Sequence, residues 1–156
     1  MPNTSGLKKI AIYPGSFDPI HEGHINIIKR SSILFDILYV AVSYNVDKSK
    51  QTDIESRLYQ VQKTIKKLNL KNVKVVKNAG LTIEFAKKLK CNFIVRGIRN
   101  IYDYKYELNM AKVHKALDAT IDTILYVTSK ELSRKSSTII RNVQTKLKKL
   151  NNKNKG

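Results

Sequence analysis

The 156-residue chain has one cysteine, three prolines and twelve acidic residues against thirty lysines and arginines. A lone cysteine, Cys91, cannot close an internal disulfide and has no ligand-spaced partner for zinc, so a reducing compartment, the cytoplasm, is expected. Its position just before an apolar run predicts a small buried hydrophobe. The chain has no run of eighteen apolar residues and no signal-peptide pattern, which predicts a soluble protein that neither crosses a membrane nor is exported. A Walker A loop, a G-x-G-x-x-G fingerprint, a Ser-His-Asp triad and a clustered metal cage are also missing. Those absences remove P-loop, dinucleotide and triad chemistry, and they leave no metal to be held by protein side chains. No repeat or linker divides the chain, so one domain over residues 1–156 is expected, with residues 1–7 and 151–156 flexible. Such a domain is long enough to bury roughly 68–70% of its unfolded surface.

The formal charge of +18 is high enough to suggest a polyanionic partner. Lys, Asn and Ile are all abundant, however, and the last sixteen residues hold six basic side chains and no acidic one. Most of the excess therefore reads as solvated surface and tail, with a smaller share focused on an anionic pocket.

What is present centres on Tyr13-Pro14-Gly15-Ser16-Phe17-Asp18-Pro19-Ile20-His21-Glu22-Gly23-His24. An apolar run, Ile10-Ala11-Ile12, precedes it and a helical pattern follows from about His24. A strand, a tight turn and a helix start form a natural anion site, because backbone N–H groups and the helix dipole converge there. Gly15 lets the main chain approach a ligand, Ser16 adds a hydroxyl, and His21 and His24 are spaced to face one side of a first helical turn.

The rest of the chain alternates strand with helix. Strands are expected at about 9–13, 37–43, 73–77, 93–95 and 123–127. The clearest helix opens on a capping box, Thr52-x-x-Glu55, and carries Ile54, Leu58, Val61, Ile65 and Leu68 as one stripe. A short helix at about 82–90 has Thr82 as a possible cap, and one at about 103–117 has two apolar stripes, so it is either central or shared with another subunit. The last helix is expected to open at Ser136 or Ser137, bury Ile139, Ile140, Val143, Leu147 and Leu150, and end near Leu150. This order implies an α/β fold, a doubly wound parallel five-stranded sheet. Ligands of such sheets bind beyond the strand carboxyl ends, and Ser16, His24, Lys48, Thr82, Arg96, Arg99 and Ser136 all fall there. A rim of Lys, Arg, His and Ser suits phosphoryl or nucleotidyl transfer, which needs positioning and charge neutralisation.

Ser16-Phe17-Asp18-Pro19 with His21-Glu22-Gly23-His24 resembles the [ST]-x-[DG]-P and H-x-G-H signature of the nucleotidyltransferase superfamily. From about Lys9 to Leu150 the chain is similar to the phosphopantetheine adenylyltransferase family. That resemblance implies a Rossmann-like nucleotidyltransferase fold, adenylyl transfer from ATP to 4′-phosphopantetheine, Mg²⁺ arriving with ATP, and a homo-oligomer, a hexamer. It implies His24, Lys48 and Arg99 as catalytic. It places ATP against Ser16, Phe17, His24, Gly97, Ile98, Arg99, Glu107 and the run Leu132, Ser133, Arg134, Lys135, Ser136, Ser137, Thr138. It places the acceptor against Ser16, Lys48, Thr82 and Arg96, with Phe17 touching both substrates. Glu107 reads equally as an ordinary helix-face acid. One segment departs from the family: Leu132 replaces an aromatic, and Arg134 and Lys135 replace apolar residues. Two other readings stay open. One is a sibling transferase using nicotinate mononucleotide or CTP. The other is a basic nucleic-acid-binding protein, for which Tyr102, Tyr104 and Tyr106 are the only stacking candidates; no specific nucleic acid and no membrane partner are expected.

Overall fold

The computed structural model describes residues 6–44, 50–128 and 132–155, with side chains in the last segment from Ile139 onward. Ten elements alternate: β1 (Ile10–Gly15), α1 (Glu22–Leu34), β2 (Ile37–Ser43), α2 (Ile54–Leu68), β3 (Val73–Asn78), α3 (Thr82–Lys88), β4 (Phe93–Ile98), α4 (Ile101–Leu117), β5 (Asp122–Val127) and α5 (Leu132–Lys153). The five strands form one parallel sheet in the order β3-β2-β1-β4-β5, the doubly wound arrangement expected. Among the described residues no helix is long and apolar enough to cross a membrane.

The strands read as near-continuous apolar runs because both faces of the sheet are covered. Side-chain alternation divides each strand between two cores. Ala11, Tyr13, Leu38, Val40 and Val42 face α1 and α2, where Ile27, Ile28, Val61 and Ile65 meet them. Ile12, Ala41 and Ile94 face the other way, against Ile83, Ala86 and Ile121. Cys91 belongs to this second core, and burial pushes its thiol up to about 12, so it behaves as the small hydrophobe expected.

The chain reverses direction across the sheet between β1 and β4, and the pairing is shortest there. Only Ala11↔Phe93 and Ile12↔Ile94 are in register, whereas β1 pairs with β2 along its whole length. The two central strands therefore part beyond Ile12, which opens a crevice at their carboxyl ends, the position where this topology binds ligands.

Several local expectations need correction. Strand β4 continues through Arg96 and Gly97 to Ile98, because β5 pairs with it that far. Helix α1 starts at Glu22 with His21 as its cap, and Leu34 points outward. The α2 cap is Asp53, whose carboxylate accepts from Ser56 N at 3.2 Å. The capping box expected at Thr52 and Glu55 is not formed: the Thr52 N–H donates to Asp18 at 2.9 Å, and Glu55 pairs with Lys77. Leu81, not Thr82, is the α3 cap. Helix α4 is not central: Glu107 is its one buried residue, and Tyr104, Tyr106, Val113 and Leu117 are exposed.

The largest difference is α5. It opens at Leu132, because Leu, Ser, Arg and Lys all tolerate helix and no Gly or Pro stops it. It runs on to Lys153, past the expected end at Leu150. Ile139, Ile140, Val143, Leu147 and Leu150 are each more than half exposed, against the expectation that they are buried. A one-sided stripe needs a surface to meet, and no other part of the described chain covers this one.

Candidate active site

The turn after β1 is shaped by close packing. A Cβ on Gly15 would lie 3.1 Å from the Phe17 ring, and one on Gly23 would lie 2.9 Å from the His21 ring. Phe17 adopts a left-handed φ of 47° and drops its ring into the core, 1% exposed and edge-on to Tyr13 at 5.4 Å. The Asp18–Pro19 peptide bond is cis. Because the Phe17 ring is buried, its main chain is the part of the residue left for ligand contact.

His21 and His24 do converge, stacked at 3.8 Å between ring centroids, and they divide two tasks. The Gly23 N–H donates to His21 Nδ1 at 3.1 Å, and the His21 N–H donates to His24 Nδ1 at 3.2 Å, a reciprocal cap built from two imidazoles. An accepting Nδ1 places the proton of neutral His24 on Nε2, where it is a donor. Burial, followed by the charges of His21, Arg99 and Arg96, lowers the His24 pKa to about 4. The ring is neutral at pH 7 and sits edge-on to Phe17, 4.8 Å away.

Arg96 spans the gap between the parted strands. Its Nη1 donates to Pro14 O at 2.7 Å, and its Nε and Nη2 donate to Glu107 at 2.9 and 2.8 Å. Burial disfavours the guanidinium charge, but the hydrogen bonds and charge of Glu107 outweigh it and raise the Arg96 pKa. Glu107, 7% exposed, is therefore the arginine's counter-ion and not an exposed helix-face acid. Tyr13, buried alongside, is pushed up by desolvation. Arg99 stands at the rim with its side chain 67% exposed, and its Nε donates to Asp103 at 3.1 Å.

These groups line two adjoining cavities. One, of about 470 Å³, is walled by Ser16, His24, Arg96, Gly97, Arg99 and Glu107. The other, of about 530 Å³, shares Ser16, Arg96 and Glu107 and adds Thr82, Met110 and His114. A third space of about 760 Å³ lies beyond Arg99, between the α1 N-terminus and Thr128. The site has little carboxylate to offer a metal: among the described residues no three His, Cys, Asp or Glu side chains group to hold one, and both Asp103 and Glu107 are bound to arginines. Its donors suit a polyphosphate.

Of the residues expected at the site, Ser16, Thr82, His24, Arg96, Gly97, Arg99 and Glu107 come together. Ile98 lines none of the cavities described; its carbonyl accepts from the Thr128 N–H at 2.8 Å instead. Lys48 and the side chains of Leu132, Ser133, Arg134, Lys135, Ser136, Ser137 and Thr138 lie outside the described residues. Sequence reasoning missed Tyr106, which lines both cavities, and Arg57, which holds the turn from behind. Arg57 did leave a signal: it lies four residues before Val61 on the buried stripe of α2, where an arginine is out of place.

A strand–turn–helix anion site at the carboxyl end of a parallel sheet, with a neutral histidine, a fixed arginine and a second arginine at the rim, fits the nucleotidyltransferase class. A family model described as cytidylyltransferase-like matches residues 12–143. The chain is 43% identical over 86% of its length to a phosphopantetheine adenylyltransferase of Lachnoclostridium phytofermentans, covering 82% of that protein. It is 42% identical over 87% of its length to one of Mycoplasma capricolum, covering 96% of that protein. Among solved structures, a lipopolysaccharide core biosynthesis protein of Thermoplasma volcanium shares the fold at a TM-score of 0.57 and 25% identity, over 76% of this chain and 96% of that one. The chain belongs to the cytidylyltransferase-like family and, within it, to the phosphopantetheine adenylyltransferases.

Proposed function

We propose that this chain transfers the adenylyl group of ATP to 4′-phosphopantetheine, releasing dephospho-CoA and pyrophosphate in coenzyme A biosynthesis. The observation that carries this reading is the pair of adjoining cavities with Ser16 and Arg96 on their shared wall. Two anionic substrates can meet at that wall. The triphosphate occupies the His24 side, the nucleoside extends past Arg99, and the acceptor's arm runs toward Met110 and His114.

An acceptor phosphate oxygen forms the new bond to the α-phosphorus of ATP. The bond from that phosphorus to the bridging oxygen breaks, and pyrophosphate leaves with the electron pair. The attacking oxygen is already anionic, so no general base is needed. The chain's task is to orient two like-charged groups and offset the charge that builds up between them. His24 Nε2–H donates to an α-phosphate oxygen, which a neutral imidazole can do without a proton change. Arg96, fixed by Glu107 and Pro14 O, holds the acceptor phosphate, and Arg99 closes on ATP from the rim. Mg²⁺, carried on the triphosphate oxygens, supplies charge neutralisation when bound. The exposed stripes of α4 and α5 suit a homo-oligomer, and a hexamer is the assembly we propose. We place it in the cytoplasm.

The test measures pyrophosphate release from ATP and Mg²⁺ with 4′-phosphopantetheine, with nicotinate mononucleotide and with no acceptor. Release is expected with the first alone. Release with nicotinate mononucleotide instead would move the chain to a sibling activity.

A further inference from the structure

Arg57 projects from α2 into the core and is 2% exposed. All three of its assigned hydrogen bonds go to main-chain carbonyls at the carboxyl edge of the sheet. Its Nη1 donates to Ser16 O at 2.6 Å and to Ser43 O at 2.9 Å, and its Nε donates to Thr52 O at 2.8 Å. Ser16 is the first residue after β1, Ser43 is the last of β2, and Thr52 leads into α2. One planar guanidinium therefore clamps the phosphate turn, the end of the neighbouring strand and the far end of the segment between Ser43 and Thr52.

The position lies on the apolar stripe with Val61 and Ile65, where a leucine would pack without desolvating a charge but would leave the Ser16, Ser43 and Thr52 carbonyls without this donor. Arg57 Nη2 is buried and has no partner among the described residues. The clamp does supply geometry. Phe17, next to the clamped carbonyl, keeps its left-handed φ, a backbone state that persists only when its surroundings over-determine it.

We infer that Arg57 is a positioning residue: it sets the Ser16–Phe17 turn against Ser43 at the end of β2 and Thr52 at the approach to α2, and so fixes where the substrate phosphates meet. This rests on the reading that the turn binds those phosphates. Arg57 itself touches no substrate. Misplacing such a turn by about 1 Å is enough to lower turnover by about 10²-fold.

The test compares Arg57→Gln, Arg57→Lys and Val61→Ala in the full chain. Val61 is buried on the same helix, away from the cavities, and its truncation lowers stability without touching the clamp. Arg57→Gln is expected to lower kcat about 10²-fold with both KM values within about threefold. Arg57→Lys, which keeps the charge but loses the fork, should recover roughly tenfold of that loss. Val61→Ala should keep its kcat despite a lowered melting temperature. Amide exchange of residues 14–20 in the ligand-free protein should speed up in Arg57→Gln and stay unchanged in Val61→Ala. A kcat within threefold of wild type in Arg57→Gln overturns the inference. So does an equal kcat loss in Val61→Ala, or unchanged exchange at residues 14–20. If Arg57→Gln does not fold, Arg57→Lys carries the test, and wild-type turnover in that variant overturns it. An inactive wild type would sink the proposed activity instead, while the exchange comparison still judges the clamp.

Discussion

Arg96 and Arg99 stand three residues apart in one motif, and each has an acidic partner on α4, yet they work in opposite regimes. Arg96 is 30% exposed and bonded to Glu107 through two nitrogens and to Pro14 O through a third. Arg99 is 67% exposed and bonded to Asp103 four residues on. A desolvated, multiply bonded pair is a fixed electrostatic wall, and breaking one side of it strands the other. An exposed pair gains little over water and is free to let go. The difference holds Arg96 in one geometry and leaves Arg99 at the rim free to turn away from Asp103.

The strongest way to break this contrast is Arg96→Met, which leaves the 7%-exposed Glu107 carboxylate unpaired. Loss of stability by about 3–5 kcal/mol is expected, read from denaturant melts, together with loss of turnover. Adding Glu107→Leu should restore much of the stability and none of the turnover. If the single variant melts like wild type, the pair is not the wall described.

His24 lines the same cavity as the two arginines and is expected to affect rate far more than stability at neutral pH. His24→Ala should lower kcat about 10²–10³-fold, the usual cost of losing one donor to developing charge, with the fold unchanged by circular dichroism. An unaltered kcat would remove His24 from the chemistry.

Arg99→Ala should cost far less than Arg96→Met. An exposed pair is worth up to about 1 kcal/mol, so a severalfold rise in the ATP KM is expected, shrinking as salt increases. A loss as large as that of Arg96→Met, or one insensitive to salt, would erase the distinction between the two arginines.

The last effect shows only below pH 6.5, in the pH dependence of stability. The folded pKa of His24, about 4, lies below its ordinary 6.5. Between those values the unfolded chain takes up a proton that the folded site refuses, so stability falls as pH drops from about 6.5 toward 4. Above pH 6.5 this group contributes no slope. The wild type should lose stability relative to His24→Ala only within that window, as urea melts at a series of pH values would measure. No rate step near pH 6.5 is expected from His24, because the ring stays neutral through it.

The alternation of strand and helix, the α2 stripe and the turn from Gly15 to His24 were legible in the sequence, because each is written in neighbours two to four residues apart. Parallel order followed from the alternation, and the place of the crevice followed from the order. The fate of Cys91 was legible too, from its being the lone cysteine and from its position just before an apolar run. The partners of the buried charges were not legible. Glu107 reaches Arg96 across a strand–helix connection, and Arg57 reaches Ser16 from 41 residues away. Nothing in local spacing encodes which carbonyls a guanidinium will meet once two strands part. The stripe of α5 shows the same limit from the other side. Its periodicity matches that of α2, yet Val61 is sealed in the core while Ile139 and Leu147 stay in solvent. A pattern dictates which face of a helix is apolar. Whether that face is covered, and whether a histidine in one cavity with two arginines keeps its proton, depends on burial and on charges brought together from distant parts of the chain, and only the tertiary structure supplies those.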